Sequence, residues 1–180
     1  MVFEELKKFV QNDFIKDLSP KLRGGVCYYL CEFMDVHVLS PWRDVRTFRQ
    51  ARVNVENMSF AAMLNYARST GFEASLANSR ITQTSASQYG IISPSESNTL
   101  YRAHTVFIGM SGAAEVDEHA ALLLTGDNAG IIFEPNFGFY KFTKQPTEKY
   151  EDCFESIIDD LYIINRIHSM TFRKSRTLKT

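Results

Sequence analysis

The chain is poor in cysteine, has no long apolar run and carries almost no net charge, and each shortage removes a class of protein. Three cysteines, none in a Cys-x-x-Cys pair, exclude a disulfide framework and a four-thiolate zinc site, and they suit a reducing compartment. No apolar stretch approaches the ~20 residues of a membrane-spanning helix. Lys plus Arg number 20 against 21 Asp plus Glu, a formal charge of −1, which argues against a general nucleic-acid binder. The opening MVFEELKKFVQNDF lacks the basic start, apolar middle and small-residue cleavage site of a secretory leader. Internal repeats and domain-splitting linkers are also missing. What remains is 180 residues, 44% of them hydrophobic, enough for one domain that buries roughly 70% of its unfolded surface without a metal or a disulfide.

The apolar periodicity predicts helices first. Phe3, Leu6, Phe9, Val10, Phe14 and Ile15 recur every three or four residues, so Val2 to Leu18 reads as an amphipathic helix stopped by Ser19-Pro20. Val26 to Met34 is apolar nearly all round and reads as a buried helix, entered through Gly24-Gly25. Ser59 to Ala67 is a third helix, with Phe60, Met63, Leu64 and Ala67 on one face. Asn78 to Thr99 is rich in Ser, Thr, Asn and Gln and reads as a long surface loop or flap.

The period then shortens to that of strands. Ala103 to Met110, His119 to Thr125, Ile131 to Asn136 and Phe137 to Phe142 are strand candidates, the middle two joined by Gly126-Asp127-Asn128-Ala129-Gly130, a hairpin signal. Tyr150 to Ser169 has the pattern of a final amphipathic helix, with Phe154, Ile157, Ile158, Leu161, Ile164 and Ile167 inward. Residues 171–180 add Arg173, Lys174, Arg176 and Lys179 with no acid, a basic tail on an otherwise acidic body. The expectation is an α+β fold: N-terminal helices, a buried helix packed on an antiparallel sheet, then a C-terminal helix, with residues 1–170 as one domain and 171–180 as its tail.

Cys27 stands at the predicted start of the buried helix, behind the glycine pair. Unpaired amides at a helix start stabilise a thiolate, so Cys27 is a candidate nucleophile, although a free cysteine is commonly a small buried apolar residue. Cys31, one turn on, reads as core, and no further ligands at metal spacing accompany the two thiols. Among the four histidines, His37 follows the Cys27 helix, His104 opens a strand, and His168 lies near the end of the last predicted helix. His119 heads a hairpin strand at the rim of the sheet. A four-residue loop Gly126 to Ala129 sets Thr125 opposite Gly130, which places Glu134 opposite Ala121, on the same face as His119 and diagonal to it. Glu134 and Asn136 are both in reach of the imidazole and remain alternatives for orienting it.

Taken in order, Gly24-Gly25-Val26-Cys27-x-x-Leu30, His119-Ala120, and Ile132-Phe133-Glu134-Pro135-Asn136-Phe137-Gly138-x-Tyr140-x-Phe142 resemble the YopT/AvrPphB-type papain-like cysteine proteases, which are bacterial effectors. Those enzymes pair a Gly-x-Cys helix start with a His-Ala strand and a Phe-Asp-Pro-Asn-x-Gly segment. The resemblance implies a papain-like thiol hydrolase that needs no cofactor or metal. Cys27 would be its nucleophile, His119 its base, and Glu134 in the aspartate's place or Asn136 its third member. It also implies a virulence protein delivered into a host cell without a cleavable signal, acting in the host cytoplasm on a host protein. The same triad suits a glutamine deamidase or a cell-wall peptide amidase, and a catalytically dead interaction module could keep the fold. The family's polar amide just upstream of the cysteine has no counterpart in Leu22 to Val26, and Asn12 is the nearest substitute for an oxyanion donor. The basic tail is suited to docking on an anionic membrane surface.

Overall fold

The computed structural model describes residues 1–18, 27–34, 55–57, 59–69, 93–96, 102–111, 116–163 and 166–177. Gly24-Gly25, His37 and nearly all of the Asn78 to Thr99 stretch lie outside them. The described elements, in order, are β1 (Val2–Lys8), α1 (Gln11–Leu18), α2 (Cys27–Phe33), α3 (Phe60–Ser69), β2 (Arg102–Ser111), β3 (Val116–Gly126), β4 (Ala129–Glu134), β5 (Gly138–Thr143), α4 (Tyr150–Leu161) and β6 (Arg166–Thr177). The six strands form one antiparallel sheet in the order β1-β5-β4-β3-β2-β6. The protein is an α+β fold.

The centre of the sheet follows directly from local sequence. β3 and β4 turn through Asp127 and Asn128, both at positive φ (53° and 57°), the left-handed pair that a two-residue hairpin demands and that Asp and Asn tolerate best after glycine. Thr125 therefore pairs with Gly130 and Gly126 with Ala129. Gly130 has no room for a side chain, since a Cβ there would lie 2.2 Å from the Phe142 ring. Ser59 caps α3 by accepting a bond from the Ala62 amide at 3.1 Å.

Alternation along the strands divides the core in two. Ala120, Leu122 and Leu124 of β3, with Ile131 and Phe133 of β4, pack against α1, α2 and α3 through Phe14, Leu30 and Met63. Ala121, Leu123 and Ile132 face the other way, against Phe154, Ile157 and Ile158 of α4. The sheet thus has helices on both faces. A turn at Pro94–Glu96 ties down the start of α4: Ser93 and Ser95 donate hydroxyl bonds to Glu151 at 2.5 and 2.6 Å, and the Tyr150 amide donates to Ser95 Oγ.

Both ends of the chain depart from the sequence expectation, for one physical reason. Val2–Lys8 is an edge strand on β5 rather than the first half of a helix, and α1 begins only at Gln11. The last helix stops at Leu161, and Arg166–Thr177 is a strand on β2. Each strand contains a bulge, at Leu6 between Glu5 and Lys7, and at His168 between Ile167 and Ser169. A bulge inserts one residue and stretches the inward spacing from two to three. Leu6 and Phe9, or Ile167 and Met170, consequently imitate a helical repeat. Ile164 lies outside the described residues.

The basic stretch from Thr171 is accordingly no free tail: through Thr177 its backbone is paired to β2, and Phe172 is only 8% exposed, packed edge-on against Phe154 at 5.6 Å. The stretch expected to be a solvated tail is, as far as Thr177, an edge strand. Residues 178–180 lie outside the described set. Deleting residues 171–180 should therefore unfold the domain rather than trim it. Phe172→Ala alone should cost about 3 kcal/mol in urea denaturation, whereas a solvated tail would leave the midpoint unchanged.

Candidate active site

The site begins with a carboxylate that has no access to water. Glu134, the last residue of β4, is 0% exposed. Burying it is tolerable only if both oxygens find donors. The Asn136 amide donates to Oε2 at 2.8 Å from the turn that follows, and the Tyr162 hydroxyl donates to Oε1 at 2.7 Å. His119 Nε2 forms a short ion pair with the same Oε1. Pro135 lacks an N–H, so the chain leaves the ladder here and is free to wrap its amides around the carboxylate.

His119 lies three residues beyond the last β3–β4 pair, Leu122↔Phe133, so no β4 residue stands opposite it. The imidazole is 6% exposed and sits at the seam between the two helical layers. Cys27, which packs with the α1–α3 side, lines the same cleft as the imidazole and, with Glu134, raises its pKa. Tyr162, which packs with the α4 side, places its hydroxyl 3.1 Å from Nε2 and its ring edge-to-face, centroids 5.8 Å apart. Burial disfavours the imidazolium, but the hydrogen bonds to Cys27 and Glu134 and their negative charges outweigh it, so His119 is pushed up to about 10. Burial and the neighbouring Glu134 charge push the Tyr162 phenol well above its ordinary range, which keeps it a neutral donor.

The structure thus brings together Cys27, His119 and Glu134 and separates out the other candidates. Asn136 makes no hydrogen bond to the imidazole. Its side chain donates to the Tyr162 hydroxyl at 2.9 Å and accepts from Gln11 Nε2 at the start of α1. The oxygen of that diagonal pair is supplied by Glu134, and Asn136 holds the partners of Glu134 instead. Asn12 is exposed, and it is Gln11 that turns inward, with its Oε1 buried and unpartnered. Cys31 is fully buried in the core. His104 is buried in β2 against Thr125 Oγ1 at 3.3 Å, and His168 is exposed on the β6 bulge. Sequence reasoning missed Tyr162 altogether. It follows the last turn of α4 with no motif around it, and only the tertiary fold carries it back over β4.

Beside Cys27 and His119 opens a cleft of about 560 Å³, walled by Tyr28 and Phe107 and bounded by Gly109, Ser169 and Arg173 of β2 and β6. Among the described residues no group of three or more His, Cys, Asp or Glu side chains is disposed to hold a metal ion. No family model, curated protein or solved structure matches the chain.

The raised His119 pKa has a consequence for stability. A folded-state value near 10 against about 6.5 unfolded contributes stability that is fully present below 6.5 and lost as pH rises through 10. The difference in urea-unfolding free energy between the wild type and Glu134→Gln should be largest near pH 6 and shrink steadily towards pH 10. A difference that is flat with pH would show the imidazole to be neutral.

Proposed function

We propose that the protein is a cysteine hydrolase acting on an amide bond of a protein substrate, with a papain-like arrangement of its catalytic groups. One observation carries the reading: Glu134 is paired directly with an imidazole that lines, together with the Cys27 thiol, one open cleft, and both groups raise that imidazole's pKa. A structural cysteine has no need of a charged buried histidine, and a buried histidine has no need of a thiol at a cleft. The order of residues along the chain and their placement, with Cys27 opening a helix packed on β3 and His119 and Glu134 on adjacent strands, support the resemblance to the YopT/AvrPphB-type enzymes. That likeness in turn favours a bacterial effector acting on a host protein.

Chemically, Glu134 holds Nε2, which leaves Nδ1 of His119 to take the thiol proton. The Cys27 sulfur attacks the carbonyl carbon. As the tetrahedral adduct collapses, the C–N bond breaks and the amine leaves with the proton returned by His119. Water, deprotonated by the same imidazole, then cleaves the thioester and releases the acid. Glu134 stabilises the imidazolium in both halves, and Tyr162 and Asn136 hold Glu134 in place. The Cys27 amide supplies one donor to the oxyanion.

Five substitutions test the assignment. At pH 6 iodoacetamide should alkylate Cys27 far faster than Cys31 or Cys153, and His119→Ala should abolish that difference by removing the ion pair. Cys27→Ala should eliminate turnover in a folded protein, whereas Cys31→Ala should keep turnover and lower the melting temperature. Glu134→Gln should lower kcat at least about a hundredfold, with Asn136→Ala milder; the reverse order would transfer the orienting role to Asn136. Mass spectrometry of host-cell lysate after treatment with wild type or Cys27→Ala reads the reaction: new termini mean proteolysis, a shift of about one mass unit on glutamine means deamidation, and neither means an interaction module.

A further inference from the structure

The hydrogen bonds behind Glu134 have a direction, and the carboxylate sets it. A carboxylate only accepts, so every neighbour must offer it a hydrogen. The single hydroxyl hydrogen of Tyr162 is committed to Glu134 Oε1, at 2.7 Å, and the same charge, with burial, keeps that phenol protonated. The Tyr162 oxygen is then left to accept, and Asn136 Nδ2 donates to it at 2.9 Å. An amide whose nitrogen faces one way turns its oxygen the other, so Asn136 Oδ1 needs a donor in its turn. Gln11 Nε2 is that donor. The forced choices end there, because Gln11 Oε1 is buried with no partner among the described residues. Turning the Gln11 amide over would set its oxygen against Asn136 Oδ1. Turning both amides would draw the Tyr162 hydrogen to Asn136 and strip Glu134 of a donor. The unpartnered oxygen is the cost of the direction, left at the far end of the chain from the site.

Gln11 is placed without help from its side chain. Its backbone amide donates to the Pro135 carbonyl at 2.8 Å, and the Phe9 amide donates to the Phe137 carbonyl at 3.1 Å. Phe9 also packs edge-on against Phe133, centroids 5.2 Å apart. Main chain and aromatic core together pin the start of α1 to the turn after Glu134, which frees the side-chain amide for another task. Resting on the hydrolase reading above, we propose that Gln11 is a positioning residue of the site, holding the direction of the Asn136–Tyr162–Glu134 chain and through it the ring of His119. Without its donor, the Asn136 amide is free to turn over and compete with Glu134 for the Tyr162 hydrogen. The carboxylate then holds the imidazole less firmly against the thiol. Gln11 acts only through these partners and takes no part in the bond-breaking steps.

The test uses the full chain as wild type, Gln11→Met, Tyr162→Phe and the double variant, methionine matching glutamine in length but offering no donor. Cys27 alkylation by iodoacetamide is read by intact mass and peptide mapping, with urea midpoints measured alongside. Gln11→Met should slow alkylation at least about threefold at about pH 6 and leave it unchanged near about pH 9.5, where a thiol ionises unaided. Its urea midpoint should hardly move, because the lost bond is offset by removal of a buried carbonyl that has no donor. In the Tyr162→Phe background the same substitution should add nothing, since the chain is already cut there. One readout is independent of the thiol: the Nε2–H proton of His119, followed by NMR of isotope-labelled histidine, should move in Gln11→Met towards its position in Tyr162→Phe. A lowered midpoint with an unchanged pH profile, equal slowing at both ends of the pH range, or a full effect in the Tyr162→Phe background overturns the proposal and leaves the hydrolase reading intact. If wild-type Cys27 reacts no faster than Cys31 and Cys153 at the acid end, it is the hydrolase reading that falls. The His119 proton then decides alone: moved, the role of Gln11 stands; unmoved, it falls too. Should Tyr162→Phe fail to fold, Asn136→Leu cuts the same chain and takes its place.

Discussion

A single buried carboxylate organises one end of this molecule. Glu134 is cut off from water, and its negative charge is met by a histidine from β3, a tyrosine from beyond α4 and a backbone amide from the turn after β4. Withdrawing any of these partners leaves a charge in a low-dielectric interior, a loss commonly worth several kcal/mol. The same bonds that make the carboxylate tolerable also fix the ring of His119. Stability of the sheet end and geometry of the candidate site are therefore one requirement, and the chain cannot relax one without disturbing the other. The second layer of bonds, from Asn136 to Tyr162 and to Gln11, extends that requirement to α1.

The sheet divides the protein into two apolar compartments, and the site lies where the division ends. β4 stops at Glu134 while β3 and β2 run on. The resulting notch lets a thiol from one layer and a phenol from the other approach the same imidazole. A strand running the full length of its neighbours would close the notch with its own side chains. Early termination of β4, enforced by Pro135, is what creates a place for polar chemistry between two hydrocarbon cores.

How much of this is visible in the bare sequence depends on how local the cause is. The β3–β4 register follows from Asp127-Asn128, and with it the closeness of Glu134 to His119, because a two-residue turn leaves no freedom over the next few pairs. Cys27 is legible as a candidate from its place at a helix start and from its motif, whereas its approach to His119 is a tertiary contact between layers. The edge strands are not legible, because their bulges at Leu6 and His168 give strands a three-residue spacing, and the charges around them suit an exposed edge as well as a helix face. Tyr162 has no local signature at all. Its role comes from what the fold sets beside it.

The arrangement of strands also has a meaning for assembly. β2 to β5 form a meander continuous in sequence, from Arg102 to Thr143, and contacts so close along the chain form early and cheaply. The His119–Glu134 pair belongs entirely to that segment. Cys27 and Arg173 join it from opposite sides in sequence, each at the cost of closing a long loop. A chain caught midway would hold the His119–Glu134 pair while Cys27 and β6 were still apart from it. The cleft beside that pair would then be complete only in the finished fold.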